Sequence, residues 1–205
     1  MPASRFGKIV CVGRNYVDHA KELGNEVPKQ PLLFFKPTSS LMLSGGAIVL
    51  PPVSRQVEFE GEIGVVVGAQ LRHADEASAA RSIRGLCAVN DVTARDLQQS
   101  DGQWTRAKGF DTFCPVGPEV TVPAELAGVT VVTRVNGIER QRGTASQMAF
   151  SIPFLLSYIS EIMTLEPGDL VCTGTPAGVG ALGPGDTVEV ELVGLSTVAN
   201  PVRVA

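Results

Sequence analysis

No apolar run in this 205-residue chain is long enough to cross a membrane, and no block of Lys or Arg marks a nucleic-acid-binding face. With a formal net charge of −4, neither a membrane nor a nucleic acid is an expected partner. The residues Met1-Pro2-Ala3-Ser4-Arg5 lack the apolar core of a signal peptide. Cys11, Cys87, Cys114 and Cys172 stand apart, without a C-x-x-C, and read as buried thiols of a cytoplasmic protein. Helical periodicity is sparse, and neither a repeat nor a linker divides the chain. One domain over residues 1–205 is the expectation, long enough to bury a sizeable core.

What the chain has is Gly and Pro, 22 and 14 residues, punctuating short Val-rich runs. Examples are Ile9-Val10-Cys11-Val12, Val65-Val66-Val67 and Val188-Glu189-Val190-Glu191-Leu192. Pro167-Gly168-Asp169 and Pro184-Gly185-Asp186 each precede such a run. The pattern predicts a β-rich α+β fold with a few short helices. Helices are expected at residues 15–23, at 75–85 with a Gly stop, and at 151–163 with Pro153 in the first turn. Gly178-Val179-Gly180-Ala181-Leu182-Gly183 matches G-x-G-x-x-G, but a turn and an alternating strand follow it. No helix N-terminus is there to receive a pyrophosphate, so it reads as a loop.

Glu58, Glu60 and Glu62 lead into the apolar run at Val65, which is an unusual start for a buried strand. In an extended chain residues two apart project to one side, about 6.5 Å apart. Glu60 and Glu62 can therefore converge on one cation, which removes their mutual repulsion. With Asp91, they form an oxygen-only set suited to Mg²⁺, Mn²⁺ or Ca²⁺ rather than zinc. Glu58 shares the Glu60 face, as a rim acid or a solvated residue.

His19 and Glu22 are three apart, so on a helix they touch. A carboxylate beside an imidazole fixes its tautomer, which suits a general base acting on water. Spacing alone favours two solvated residues instead. Asp91, Arg95 and Gln98 would align on a helical turn, with Asp91 on a metal and the others facing an anion. The competing reading is a helix capped by Asp91 or Thr93, with Arg95 in a surface ion pair. Lys108 in Thr105-Arg106-Ala107-Lys108-Gly109-Phe110 reads by itself as a surface lysine.

Taken in order, several segments form a pattern. They are Val12-Gly13-Arg14-Asn15-Tyr16 with His19, Leu33-Phe34-Phe35-Lys36-Pro37, Glu60-Gly61-Glu62, and Asn90-Asp91 with Thr93-Ala94-Arg95-Asp96-Leu97-Gln98. Lys108-Gly109-Phe110-Asp111-Thr112-Phe113, Val135-Asn136-Gly137 with Arg140-Gln141, and Thr173-Gly174-Thr175-Pro176 complete it. With these segments, the chain resembles the fumarylacetoacetate hydrolase family over nearly its whole length. The resemblance implies a mixed β-sandwich roll, usually a homodimer. It also implies Mg²⁺ or Mn²⁺ held by Glu60, Glu62 and Asp91, and substrate contacts from Arg95, Gln98, Lys108 and Thr175. His19 and Glu22 would lie on a segment that closes over the substrate. The implied substrate is a 2-oxo or 2,4-dioxo acid. Hydrolysis of its C3–C4 bond would have His19, oriented by Glu22, activate water, with Lys108 and Gln98 stabilising the oxyanion. The alternatives are decarboxylation or tautomerisation of oxaloacetate, isomerisation or decarboxylation in aromatic-acid breakdown, and, outside enzymes, a metal-stapled structural dimer. Residues 25–30 and 99–104 are candidate pocket walls.

Overall fold

The computed structural model describes residues 6–205 except Leu23, Asn25 and Val27, together with all side chains in that span but that of Ala20. Expectations placed on residues 1–5 and on those three positions lie outside the described residues. Short β-branched runs bounded by Gly and Pro fold as strands, because such side chains pack well on a pleated surface. In chain order the elements begin with β1 (Ile9–Gly13), α1 (Val17–Glu22), β2 (Leu32–Lys36), β3 (Leu41–Leu43), β4 (Ile48–Leu50), β5 (Val57–Phe59) and β6 (Gly61–Val67). Next come α2 (Glu76–Arg81), β7 (Ile83–Asn90), β8 (Thr93–Ala94), α3 (Arg95–Asp101), α4 (Thr105–Lys108) and β9 (Cys114–Val116). Then follow β10 (Thr130–Val135), β11 (Ile138–Thr144), α5 (Ile152–Ile162), β12 (Leu170–Cys172), β13 (Gly180–Ala181), β14 (Thr187–Leu192) and β15 (Ser196–Val204).

These strands make three sheets, in the orders β2-β1-β12-β6-β7-β9-β3, β11-β10-β14-β15-β4 and β13-β5-β8. Pairing is mostly antiparallel; β1 with β12, β3 with β9 and β4 with β15 run parallel. The inner strands β1, β6 and β12 of the largest sheet are buried on both faces, so their sequences are largely apolar instead of alternating. Val10, Ile63, Val65, Val67, Leu86 and Val171 face one core, shared with Val131, Val190 and Leu192 of the second sheet and with α5. The residues between them, Ile9, Cys11, Val66, Cys87, Val89, Leu170 and Cys172, face another core. A third core joins β5, β8, α3 and α4 through Val57, Phe59, Ala94, Leu97, Ala107 and Phe113. All four cysteines are buried free thiols, and burial pushes the Cys11 thiol up to about 11.

Helix α5 lies where the periodicity predicts it, with Ser151 and Met163 as its caps. The Ser151 hydroxyl accepts from the Phe154 N–H at 3.3 Å, and Ile152, Leu155, Leu156 and Ile159 are buried. The expectation for residues 75–85 needs correction. Asp75 caps α2 as its acceptor side chain suggests, but the helix stops at Arg81 and Gly85 lies inside β7. Gly85 pairs with Val66 there, and a Cβ on it would meet the Val120 carbonyl at 2.6 Å. Close strand packing, not helix termination, accounts for that glycine. The Gly178 segment carries no helix; Gly180 and Ala181 pair with Phe59 and Glu58.

Candidate active site

The chain crosses from one sheet into another at Glu60. Strand β5 ends at Phe59, paired with β8 and β13, and β6 begins at Gly61, paired with β7 and β12. Glu60 lies in the gap between them. Its N–H donates to the Asn90 side chain at 3.0 Å, and its carbonyl accepts from the Asp91 N–H at 2.8 Å. These bonds fasten the end of β7 beside the crossing and bring Asp91 next to the two glutamates. Gly61 lets the backbone lie on the second sheet, because a Cβ there would strike the Thr133 hydroxyl. The Glu60, Glu62 and Asp91 side chains are all buried, with one oxygen from each within 4.8 Å of the other two. Period-two spacing therefore identifies the pair, although the strand is interrupted at the first glutamate.

Three cations surround these acids. Lys108 Nζ lies 2.8 Å from Glu60 and 2.7 Å from Asp91, and Lys36 Nζ lies 2.6 Å from Asp91. Arg95 donates to Glu58 at 2.7 Å and also bonds Glu60 and Gln98. Lys108 and Lys36 are 1% and 2% exposed, so Lys108 is no surface lysine. Burial opposes ionisation of Glu60, but Lys108, Arg95 and His19 together hold its carboxyl below the usual range. For Glu62 the field of Lys108 is outweighed. Glu62 accepts a 2.8 Å hydrogen bond from the Gly174 N–H, and burial, then the fields of Asp91 and Glu60, push its carboxyl well above the usual range. Tyr16, whose buried hydroxyl has no hydrogen-bond partner among the described residues, is shifted upward by burial and by Glu62. An acid that resists ionising between two other acids fits a site completed by a shared divalent cation, and an all-oxygen donor set suits Mg²⁺ or Mn²⁺.

The acids open into a cavity of about 660 Å³. Its lining includes His19, Arg95, Gln98, Lys108 and Thr175, with Phe34 and Trp104 as aromatic wall. His19 is buried on α1, with Nδ1 3.3 Å from Glu22 Oε2. Glu22 is in turn held by the Gly178 N–H at 3.0 and 3.1 Å. Gly178 has φ 100° and no room for a Cβ, which would strike the Arg140 carbonyl. The Gly-rich loop thus serves a carboxylate of the chain itself. Of the candidate walls, Gln99, Gly102, Gln103 and Trp104 line the cavity, whereas none of the described residues of 25–30 does.

Two expectations change. Asp91 is not on a helix with Arg95 and Gln98: it follows β7, and α3 starts at Arg95 with Ala94 at its cap. Arg95 is buried between two carboxylates, neither capping partner nor surface pair. Thr175 borders the cavity, but its hydroxyl donates to the Gly61 carbonyl at 2.9 Å and accepts from Gln141 at 2.7 Å. One lone pair is left to face a ligand. Sequence reasoning missed Lys36, Asn15 and Gln141 as builders of the site. Lys36 gave no signal of its own, because it is buried while Leu32 and Phe35 of the same strand are exposed, the reverse of hydropathy.

Among the described residues no helix is long and apolar enough to cross a membrane. An oxaloacetate decarboxylase, mitochondrial, of Dictyostelium discoideum is 46% identical over 199 residues, covering 93% of this chain and 90% of that protein. An oxaloacetate tautomerase, mitochondrial, of Arabidopsis thaliana is 44% identical over 198 residues, covering 93% and 88%. The crystal structure of fumarylpyruvate hydrolase from Pseudomonas aeruginosa, in complex with Mn²⁺ and pyruvate, matches with a TM-score of 0.91 at 29% identity, covering 98% of this chain and 91% of that one. The model of the fumarylacetoacetate (FAA) hydrolase C-terminal family matches residues 8–203, and the chain belongs to that family.

Proposed function

We propose that this chain is a divalent-metal-dependent enzyme that cleaves the C3–C4 bond of acylpyruvates, giving pyruvate and a carboxylic acid. The observation that carries the reading is that an imidazole tied to a carboxylate and a buried triad of acids border one cavity. Glu60, Glu62 and Asp91 would hold Mg²⁺ or Mn²⁺, which when bound would supply Lewis acidity. Glu22 fixes the His19 tautomer with the proton on Nδ1, so Nε2 takes the proton of the water that attacks C4. As the C3–C4 bond breaks, its electron pair stays on the pyruvate fragment, and protonation at C3 completes the products. Gln98, whose carbonyl oxygen is engaged by Arg95, turns its amide N–H groups to the oxygen on C4, alongside the Lys108 ammonium. Arg95, held charged by Glu60 and Glu58 despite burial, faces the substrate anion. The active unit is a homodimer.

A second reading is favoured by the relatives at 44% and 46% identity, whose names are those of oxaloacetate enzymes. Tautomerisation or decarboxylation of oxaloacetate uses the same enolate but needs no attacking water. Acetylpyruvate, fumarylpyruvate and oxaloacetate, assayed with Mg²⁺ and with Mn²⁺, separate the two by yielding acid, enol or CO₂. His19→Ala is expected to lower C–C hydrolysis by on the order of 10²-fold. Hydrolysis at the wild-type rate in that variant would remove the dyad from the mechanism.

A further inference from the structure

Most of the cations around the cavity already have carboxylate partners. Lys36 is bound to Asp91, Lys108 to Glu60 and Asp91, and Arg95 to Glu58 and Glu60. Arg14 is different. It lines the same cavity, half-buried, and among the described residues no carboxylate is in ion-pair range of it. Its φ of 58° lies in the left-handed region that residues other than glycine seldom occupy. The next residue shows how this backbone is held. The buried Asn15 side chain donates to the Thr173 carbonyl at 2.8 Å and the Phe150 carbonyl at 3.2 Å, and accepts from the Phe150 N–H at 2.9 Å. The connection from β1 to α1 is pinned at Asn15 while Arg14 is turned out of the regular path, the kind of outlier that collects at ligand clamps.

Aromatic packing runs from Lys108 toward the segment that carries Arg14. Lys108 Nζ lies 5.0 Å from the Phe34 ring centroid, and Phe34 meets Trp104 edge-on at 5.1 Å. Trp104 covers Gly13, where a Cβ would meet the indole at 2.8 Å. Arg14 comes next in the chain and lines the same cavity as Phe34, Trp104 and Lys108.

We propose that Arg14 is a specificity-determining residue: it binds the distal carboxylate of a 2-oxo diacid whose 2-oxo end sits at the acidic triad. This rests on the 2-oxo acid reading above and names the substrate class within it. Against the apolar wall of Leu32, Leu33, Phe34 and Trp104, a guanidinium and a carboxylate form a two-pronged, charge-assisted pair that water screens poorly. A 2-oxo monoacid with an uncharged tail leaves that guanidinium without a partner.

Calorimetric titration of the Mg²⁺-loaded chain tests this with 2-oxoglutarate and 2-oxopentanoate, the same carbon chain without the second carboxylate. The wild type is expected to bind the diacid about 10- to 100-fold more tightly. Arg14→Asn, chosen because Asn tolerates the left-handed backbone, should bring the ratio of the two Kd values near one. Arg14→Lys should keep part of the preference. A wild-type ratio near one, or a ratio that survives Arg14→Asn, overturns the assignment; if Arg14→Asn melts abnormally, Arg14→Gly, which also fits the left-handed backbone, carries the same expectation. Binding of both acids without turnover of any 2-oxo acid counts against the catalytic reading alone. Failure of both acids to bind sinks the 2-oxo acid reading and this assignment with it.

Discussion

At the scale of single residues, the site depends on buried charges that stabilise one another. Lys36 is the test case. Its ammonium bonds Asp91 and the Val92 carbonyl at 3.2 Å inside the protein, and removing one member of a buried pair leaves the other without compensation. Lys36→Met is expected to lower the free energy of unfolding by roughly 3–5 kcal/mol in urea titration. Loss of under about 1 kcal/mol would mean that Lys108 alone suffices for Asp91. Glu62 lacks a cationic partner of its own, so its amide should be tolerated by the fold but not by the ion. Glu62→Gln is expected to weaken Mn²⁺ binding by at least about 10-fold while leaving the melting temperature of the metal-free chain unchanged or higher. Residue types at this scale were largely legible. Three acids announced an oxygen-ligand site, whereas Lys36 and Lys108 did not announce themselves. A lysine is read as solvated until a distant acid is known to face it, and Asp91 reaches Lys36 across 55 positions of chain.

Among the elements, strands were easier to read than helices. Val65 to Val67 and the run beginning at Leu170 are strands because β-branched apolar residues between turns have few other places to go. Helix α5 was legible because four buried side chains recur at helical spacing, and its start is fixed by Ser151. Ser151→Ala should lower stability by about 1 kcal/mol through loss of the cap, measured by thermal unfolding. Helix α2 was overextended because its Gly85 looks like a stop signal, yet that glycine answers to the packing of Val120, 35 positions on. The loop at Gly178 carries the same lesson toward the site. Its N–H holds Glu22, and its φ of 100° excludes a side chain. Gly178→Ala should therefore reduce kcat, with Mn²⁺ affinity unchanged, because the dyad is displaced while the triad is not. Equal loss of metal affinity would show that the strain spreads to the acids.

For the molecule as a whole, the cores are formed between sheets and the acids lie where sheets meet. A cation bound only by the folded chain stabilises it by mass action, about 2.7 kcal/mol at a concentration 100 times its Kd. Mg²⁺ or Mn²⁺ added after EDTA treatment should raise the melting temperature by several degrees, and Glu62→Gln should abolish most of that rise. An unchanged melting temperature in saturating Mn²⁺ would argue that the triad takes no ion. The β-rich class was legible from turn spacing. The sheet order was not, because pairings such as Ile9 with Leu170 join residues 161 positions apart and nothing local records them. The change of partner at Glu60 has a further consequence. The acid pocket sits on a seam between two panels and is not contained in either. Glu62 sits in β6, Asp91 follows its partner β7, and Glu60 is fastened to the end of β7 by backbone bonds, so the three carboxylates meet only where residues 60–62 and 90–91 are paired. An ion captured there reports that this pairing has formed.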